Sequence, residues 1–366
     1  MKYIDPYREP GLLKSLVAKL HGTNRQDRPV AFMEVCGTHT MNIHRHGIRE
    51  VLPKNIRLIS GPGCPVCVTP RSGIDTAVAY ARRPDTIVAS FGDMLRVPGS
   101  TSSLIDERSM GADVRVVYSP IDAVEIAKEH REKKIVFVGI GFETTVPTVA
   151  ISILKALDEN LKNYFVLSLG KLIPPAMNAL VADPRLKING FLCPAHVSAI
   201  IGMKPYEPIA RKGIPCVIAG FEPADILSGL ISLLKQVNDG KAYVENGYKR
   251  VVRYEGNPKA QEIISTVFEP VDAEWHGLGT MPESGLEIRD EYEELDAVRA
   301  LPVEMEQTIP AEGCRCGDVL MGLIDPPECA LFAKSCTTET PFGACMVSSE
   351  GTCAAWYKYR APIENV

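Results

Sequence analysis

Short apolar runs, most of them closed by glycine, proline or serine, set the strongest constraint on this chain. Eight fall in the first 240 residues, at 31–35, 57–60, 86–91, 114–118, 135–140, 164–169, 190–193 and 216–219. Helical patterns lie between them at 72–82, 121–133, 146–158, 174–182 and 223–237. The second is entered through Ser119-Pro120, and proline suits an early helical position. Strands this uniformly apolar, separated by helices, are buried on both faces, as in parallel sheets. The expected class is α/β, with one parallel-sheet unit over 1–125 and a second over 126–240. Each has a strand running into a glycine-containing turn, Phe91-Gly92-Asp93 and Gly141-Phe142-Glu143. The likeness is too faint to be a repeat.

Of 366 residues, 45% are hydrophobic and 23% charged, which excludes disorder as the main state. The net charge of −5 leaves no basic balance for nucleic acid. No run reaches the roughly 18 uncharged apolar residues of a membrane span, and the best, 135–142, is ended by Glu143. The start, Met1 to Pro6, has no apolar core of a signal peptide. A cytoplasmic chain is expected.

From Lys241 the texture changes. Residues 269–306 carry twelve acidic side chains against Arg289 and Arg299, a net of −10. This reads first as a solvated helical or loop face. A docking surface for a basic partner is the second reading.

Cysteine is the anomaly. There are eleven, three before residue 70, two in the middle and six from Cys314 to Cys353. A chain of this length does not need disulfide staples, so metal ligation and thiol chemistry remain. Cys329, Cys336, Cys345 and Cys353 are spaced C-x6-C-x8-C-x7-C, without the paired C-x2-C knuckles of structural zinc. Four thiolates so spread suit a cubane iron–sulfur cluster. Zinc and buried free thiols are the alternatives. The expected C-terminal domain, 241–366, joins the acidic segment to this small loop- and helix-rich iron–sulfur module. Cys314 and Cys316 form C-x-C and are alternative ligands, a redox pair or structural thiols.

Cys36 follows a strand and precedes a helix, so it lies at the carboxyl edge where open α/β sheets bind ligands. The helix N-terminus is expected to lower its pKa. His39, three residues on, could hydrogen-bond or carry a proton. Cys64 and Cys67 form C-x-x-C in a Gly/Pro-framed turn, suited to dithiol–disulfide exchange. A zinc site completed by Cys36 and His39 is the alternative. Asp93 and Arg96 follow one strand and Glu143 and Thr144 another, as site residues or as turn punctuation. Gly139-Ile140-Gly141 lacks the third glycine of a dinucleotide fingerprint. Cys193, His196 and Cys216 read as core or turn residues, and His44 and His46 as surface or packed ones.

The segments FMEVCGTHT (32–40), GPGCPVC (61–67), FGDMLRVPGS (91–100) and GFETTVPT (141–148), together with the C-terminal cysteines, resemble the HypD family of hydrogenase maturation proteins. The resemblance runs over essentially the whole chain. It implies a redox-active scaffold that, with HypC, holds one iron. That iron accepts CO, and cyanide from a HypE thiocyanate made with HypF and carbamoyl phosphate. The product is the Fe(CN)2CO group of the NiFe-hydrogenase large subunit. The resemblance also implies two α/β domains and a third carrying a 4Fe-4S cluster, with redox logic similar to ferredoxin:thioredoxin reductase. It implies a monomer that binds HypC one-to-one. By position, Cys36 would ligate the cargo iron together with the N-terminal cysteine of HypC, and His39 would orient or protonate. Cys64 and Cys67 would switch between dithiol and disulfide. Cys329, Cys336, Cys345 and Cys353 would hold the cluster, with Cys314 and Cys316 as accessory thiols. Asp93, Arg96, Glu143 and Thr144 would line the cleft. No nucleic acid or membrane is implied. The alternative is a free-standing iron–sulfur thiol-disulfide reductase, which would not need Cys36. A zinc-stabilised binding protein is a third class, colourless where a cluster is brown.

Overall fold

A computed structural model describes residues 4–359; Met1, Lys2 and Tyr3 of the polar start lie outside the described residues. Each of the eight apolar runs forms a strand: β1 Val30–Glu34, β2 Ile56–Ser60, β3 Thr86–Ser90, β4 Val114–Val116, β5 Lys134–Gly141, β6 Tyr164–Gly170, β7 Gly190–Pro194 and β8 Cys216–Ala219. Three more follow, β9 Val244–Asn246, β10 Phe268–Trp275 and β11 Gly279–Ile288. The helix expected at 121–133 spans Pro120–Glu129. The Ser119 hydroxyl accepts the Ile121 N–H, and Asp122 accepts the Ser119 N–H, closing a capping box. It stops early because the Asn163 amide donates to the carbonyls of Ala127, His130 and Lys133 and holds a turn there.

The strands form two parallel sheets, ordered β2-β1-β7-β8-β9 and β4-β3-β5-β6. Membership is nested. Residues 1–125 contribute β1 and β2 to the first sheet and β3 and β4 to the second, and 126–240 likewise divide between both. One apolar core joins the inner faces of both sheets, through Met33, Ile59 and Phe191 on one side and Val88, Val136 and Phe165 on the other. It continues without a break into Cys316, Cys345 and Met346 of the C-terminal module. The outer face of each sheet has its own core. No helix among the described residues is long and apolar enough to cross a membrane.

The acidic segment is not only helix and loop. Its first half is an antiparallel hairpin, β10 on β11. From Glu269 to Trp275 less and more exposed positions alternate, with Pro270, Asp272 and Glu274 turned to solvent and Trp275 buried. This is the two-residue period of a strand with one wet face. Trp275 anchors it. Its indole is wholly buried, donates to the Ser284 hydroxyl at 2.8 Å and stacks on Phe142 with ring centres 6.0 Å apart. Trp275→Ala is expected to cost about 3–5 kcal/mol in urea denaturation, and Trp275→Phe clearly less. A loss below about 1 kcal/mol would show that the hairpin is not held by this residue.

Candidate functional site

The parallel register places Glu34 level with Ser60, so β1 and β2 end side by side. β1 runs through Val35 into Cys36, which caps the helix Gly37–Arg45. β2 runs into Gly61 to Cys64, which opens the short helix Pro65–Val68. The two loops interlock. Gly61 N–H donates to Glu34 O at 2.7 Å and Gly37 N–H to Gly63 O at 2.8 Å. A Cβ on Gly63 would lie 2.0 Å from the Cys36 nitrogen, so no side chain fits there. Cys64 and Cys67 are joined as a disulfide, both buried. Cys36 and this pair therefore occupy adjoining loops on one sheet edge.

The site is dry. Burial pushes the Cys36 thiol up to about 12, and the carboxyls of Glu350 and Glu34 add to this. The N–H groups of His39 and Thr38 at the helix start act in the opposite direction. The expected lowering by the helix N-terminus is therefore present but outweighed by desolvation. His39 is wholly buried, which pushes it down to about 4. Its Nε2–H donates to Gly220 O at 2.9 Å, and its ring packs on Phe221 at 4.9 Å. Nδ1 has no hydrogen-bond partner. At neutral pH His39 is thus a fixed neutral ring with a free acceptor, not an imidazolium.

The C-terminal module closes over these loops. Glu350 Oε1 accepts the Thr38 hydroxyl at 2.7 Å, and a Cβ on Gly37 would lie 2.4 Å from the Glu350 Cβ. Burial raises the Glu350 carboxyl, and the negative charge of Asp93 adds to the effect. Arg96 donates to Val347 O at 2.9 Å. The Cys67 sulfur lies 3.9 Å from Ala344 O, next to Cys345. Asp93 and Arg96 thus meet the module beside Cys36. Glu143 and Thr144 diverge. Thr144 is exposed. Glu143 is wholly buried, with Oε1 accepting Ile173 N–H at 3.0 Å and Oε2 unpartnered. Sequence reasoning missed Glu350; its only signal was the Ser348-Ser349-Glu350-Gly351 turn between two cysteines.

Cys314, Cys316, Cys329, Cys336 and Cys353 line one pocket. The Cys314 and Cys316 sulfurs are 3.3 Å apart, and Phe342 N–H points at the Cys336 sulfur at 3.4 Å. Cys345 is wholly buried, with its thiol against that of Cys316 and its neighbour Ala344 facing Cys67. The C-x-C turn therefore shares this pocket with Cys329, Cys336 and Cys353, and the Cys345 thiol meets the same group through Cys316. Among the described residues no three His, Cys, Asp or Glu side chains converge on a site for a single ion. Cys193 and Cys216 are wholly buried in the core, while His196 is exposed and packs on Phe221 at 4.0 Å.

Residues 11–360 match the HypD family model, described as the hydrogenase formation hypA family. The chain is 45% identical over 367 residues to the hydrogenase maturation factor HypD of Azotobacter vinelandii, covering 98% of this chain and 97% of the relative. It is 45% identical, with the same coverage, to the hydrogenase expression/formation protein HupD of Azotobacter chroococcum. It is 43% identical to HypD of Escherichia coli K12 over 98% of both chains.

Glu143 supplies a pH test. Burial pushes its carboxyl up to about 7 from an ordinary 4.5. A carboxyl raised in the folded state favours folding while protonated, so its contribution is present at low pH and is lost as pH rises toward and past about 7. Glu143→Gln is expected to be more stable than wild type at pH 8 by about 1–3 kcal/mol, and nearly equal to it at pH 5. Urea denaturation at both pH values reads the difference. The same difference at both would contradict the assignment.

Proposed function

The chain belongs to the HypD family of hydrogenase maturation factors, and from that premise we propose that it is a redox-active scaffold for the Fe(CN)2CO group. HypC would be its iron-holding partner and HypE its cyanide donor. The observation that carries this reading is the interlock of the Cys36 loop with the Cys64–Cys67 loop, through Gly37 N–H to Gly63 O at 2.8 Å. It sets one unpaired thiol beside a dithiol–disulfide pair, which a simple thiol reductase would not need.

Iron is the cargo, and Cys36 is its ligand from this chain. A soft thiolate suits low-valent iron. Coordination requires the thiolate, so binding releases the Cys36 proton. Glu350, raised by burial, stands beside it. His39 keeps its ring neutral and fixed between Phe221 and the Gly220 carbonyl. Arg96 holds the overlying loop in place, Asp93 faces the Glu350 carboxyl, and Glu143 braces β5 against the start of the helix Ile173–Ala182. Release of cyanide from a thiocyanate takes two electrons and one proton, leaving cyanide and a thiol. Oxidation of the Cys64/Cys67 dithiol to its disulfide yields two electrons and two protons.

The cysteine pocket fits a 4Fe-4S cluster. Its donors are all thiols, its walls include Val319, Leu331 and Phe332, and Phe342 N–H is aimed at a ligand sulfur. Cys329, Cys336, Cys345 and Cys353 would hold it, with Cys314 and Cys316 as accessory thiols beside them. When bound, such a cluster supplies single electrons to a neighbouring dithiol pair.

The test is anaerobic purification with HypC from cells containing the full maturation machinery, followed by iron analysis and infrared spectroscopy. Wild type is expected to show cyanide and carbonyl stretching bands. Cys36→Ala is expected to lose them while keeping its brown colour and cluster iron. A brown wild-type protein with no such bands would overturn the scaffold in favour of a free-standing reductase.

A further inference from the structure

We propose that Glu34 is a positioning residue that holds the Cys36 thiol in register with the Cys64–Cys67 pair by tying the Cys36 helix start and the end of β2 to one carboxylate. The assignment rests on the scaffold reading for what Cys36 carries, but its geometry stands apart from that chemistry.

Glu34 ends β1, a strand whose residues Val30, Phe32 and Met33 are wholly buried and apolar. Glu34 is equally buried, and among the described residues no cation lies within ion-pair distance of it. A carboxyl in such a place is costly unless its oxygens are hydrogen-bonded. The donors that satisfy it come from the two elements that carry the thiols. Oε2 accepts the Cys36 N–H at 3.0 Å, fixing the loop that carries the thiol. Oε1 accepts the Thr40 hydroxyl from the first turns of the helix Gly37–Arg45. Ser60, the last residue of β2, stands level with Glu34 across the sheet, and its hydroxyl helps to favour the charged carboxylate. β2 leads directly into the dithiol loop.

The fit that follows has little tolerance. Gly63 lies against the Cys36 nitrogen so closely that a Cβ would fall 2.0 Å from it. A leucine would satisfy the apolar sheet at position 34, yet would leave the Cys36 N–H buried without an acceptor and free the loop to move. Glutamine is different. Its carbonyl can accept the Cys36 N–H, and its amide can donate to the Thr40 hydroxyl. Position and charge are therefore separable by substitution.

The experiment uses the full chain, purified anaerobically with its cluster, and follows alkylation of Cys36 by iodoacetamide at one pH with peptide mass spectrometry. Glu34→Leu is expected to raise the rate about tenfold as the loop opens. Its brown colour and its fraction of oxidised Cys64–Cys67 should stay at wild-type levels. Glu34→Gln is expected to stay within about twofold of wild type. Should Glu34→Leu fail to fold, Thr40→Val removes one donor alone and is expected to raise the rate about threefold. In complexes with HypC, the iron cyanide and carbonyl bands are expected to weaken in Glu34→Leu and to return in Glu34→Gln. An unchanged alkylation rate in both Glu34→Leu and Thr40→Val overturns the assignment. So does Glu34→Gln behaving like Glu34→Leu, which would assign the effect to charge. Wild type without bands, but with the alkylation pattern as expected, would remove the scaffold reading and leave the positioning role intact.

Discussion

The close approach of Gly63 to the Cys36 backbone is the contact on which the site depends. Two parallel strands ending level would ordinarily send their loops apart. Here Gly61 N–H donates back to Glu34 O, and Gly37 N–H donates across to Gly63 O. The two loops become one short stretch of paired backbone beyond the sheet. A single missing side chain permits this, because a Cβ at residue 63 would overlap the Cys36 nitrogen. Thiols on different strands are thereby brought together by backbone, which is stiffer than side chains and does not depend on rotamer choice.

Local signals in the sequence account for most of the α/β body. Each of the eight apolar runs is a strand because an all-apolar segment with glycine or proline at its end has few other solutions in a buried sheet. The helix start at Pro120 was equally legible, since Ser119 and Asp122 are a complete cap within four residues. What escaped was non-local or masked. The pairing of β1 with β7 joins Glu34 to Leu192, and no local pattern records a partner so distant. The β10–β11 hairpin hid beneath its charge: with Glu269, Asp272 and Glu274 spread along β10, the net charge is more conspicuous than the burial of Phe268 and Trp275 at its ends.

At the site, motifs located Cys36, His39, Cys64 and Cys67, but not the balance of forces on them. A helix start does offer N–H groups to Cys36, yet the loop above it removes the water, and burial outweighs the dipole. The depth of burial depends on Glu350, more than three hundred residues along the chain, which spacing near Cys36 could not reveal. The cysteine module shows the same limit. Spacing groups the last four thiols, but the turn at Gly313 also brings Cys314 and Cys316 among them. Which thiols share a pocket is a property of the fold, not of their order.

The module is part of the body rather than an appendage. Its cysteines belong to the same apolar core as the inner faces of both sheets, and Arg57 to Asp325 and Arg96 to Val347 pin its ends. The hairpin adds a third tie, with His276 N–H donating to Val68 O at the end of the dithiol helix and Gly277 packed on Gly317 beside the C-x-C turn. A module so held cannot lift away without opening the core. On the reading proposed above, electrons would reach the Cys64–Cys67 pair by fixed proximity, set when the chain folds, rather than through a domain that swings into place.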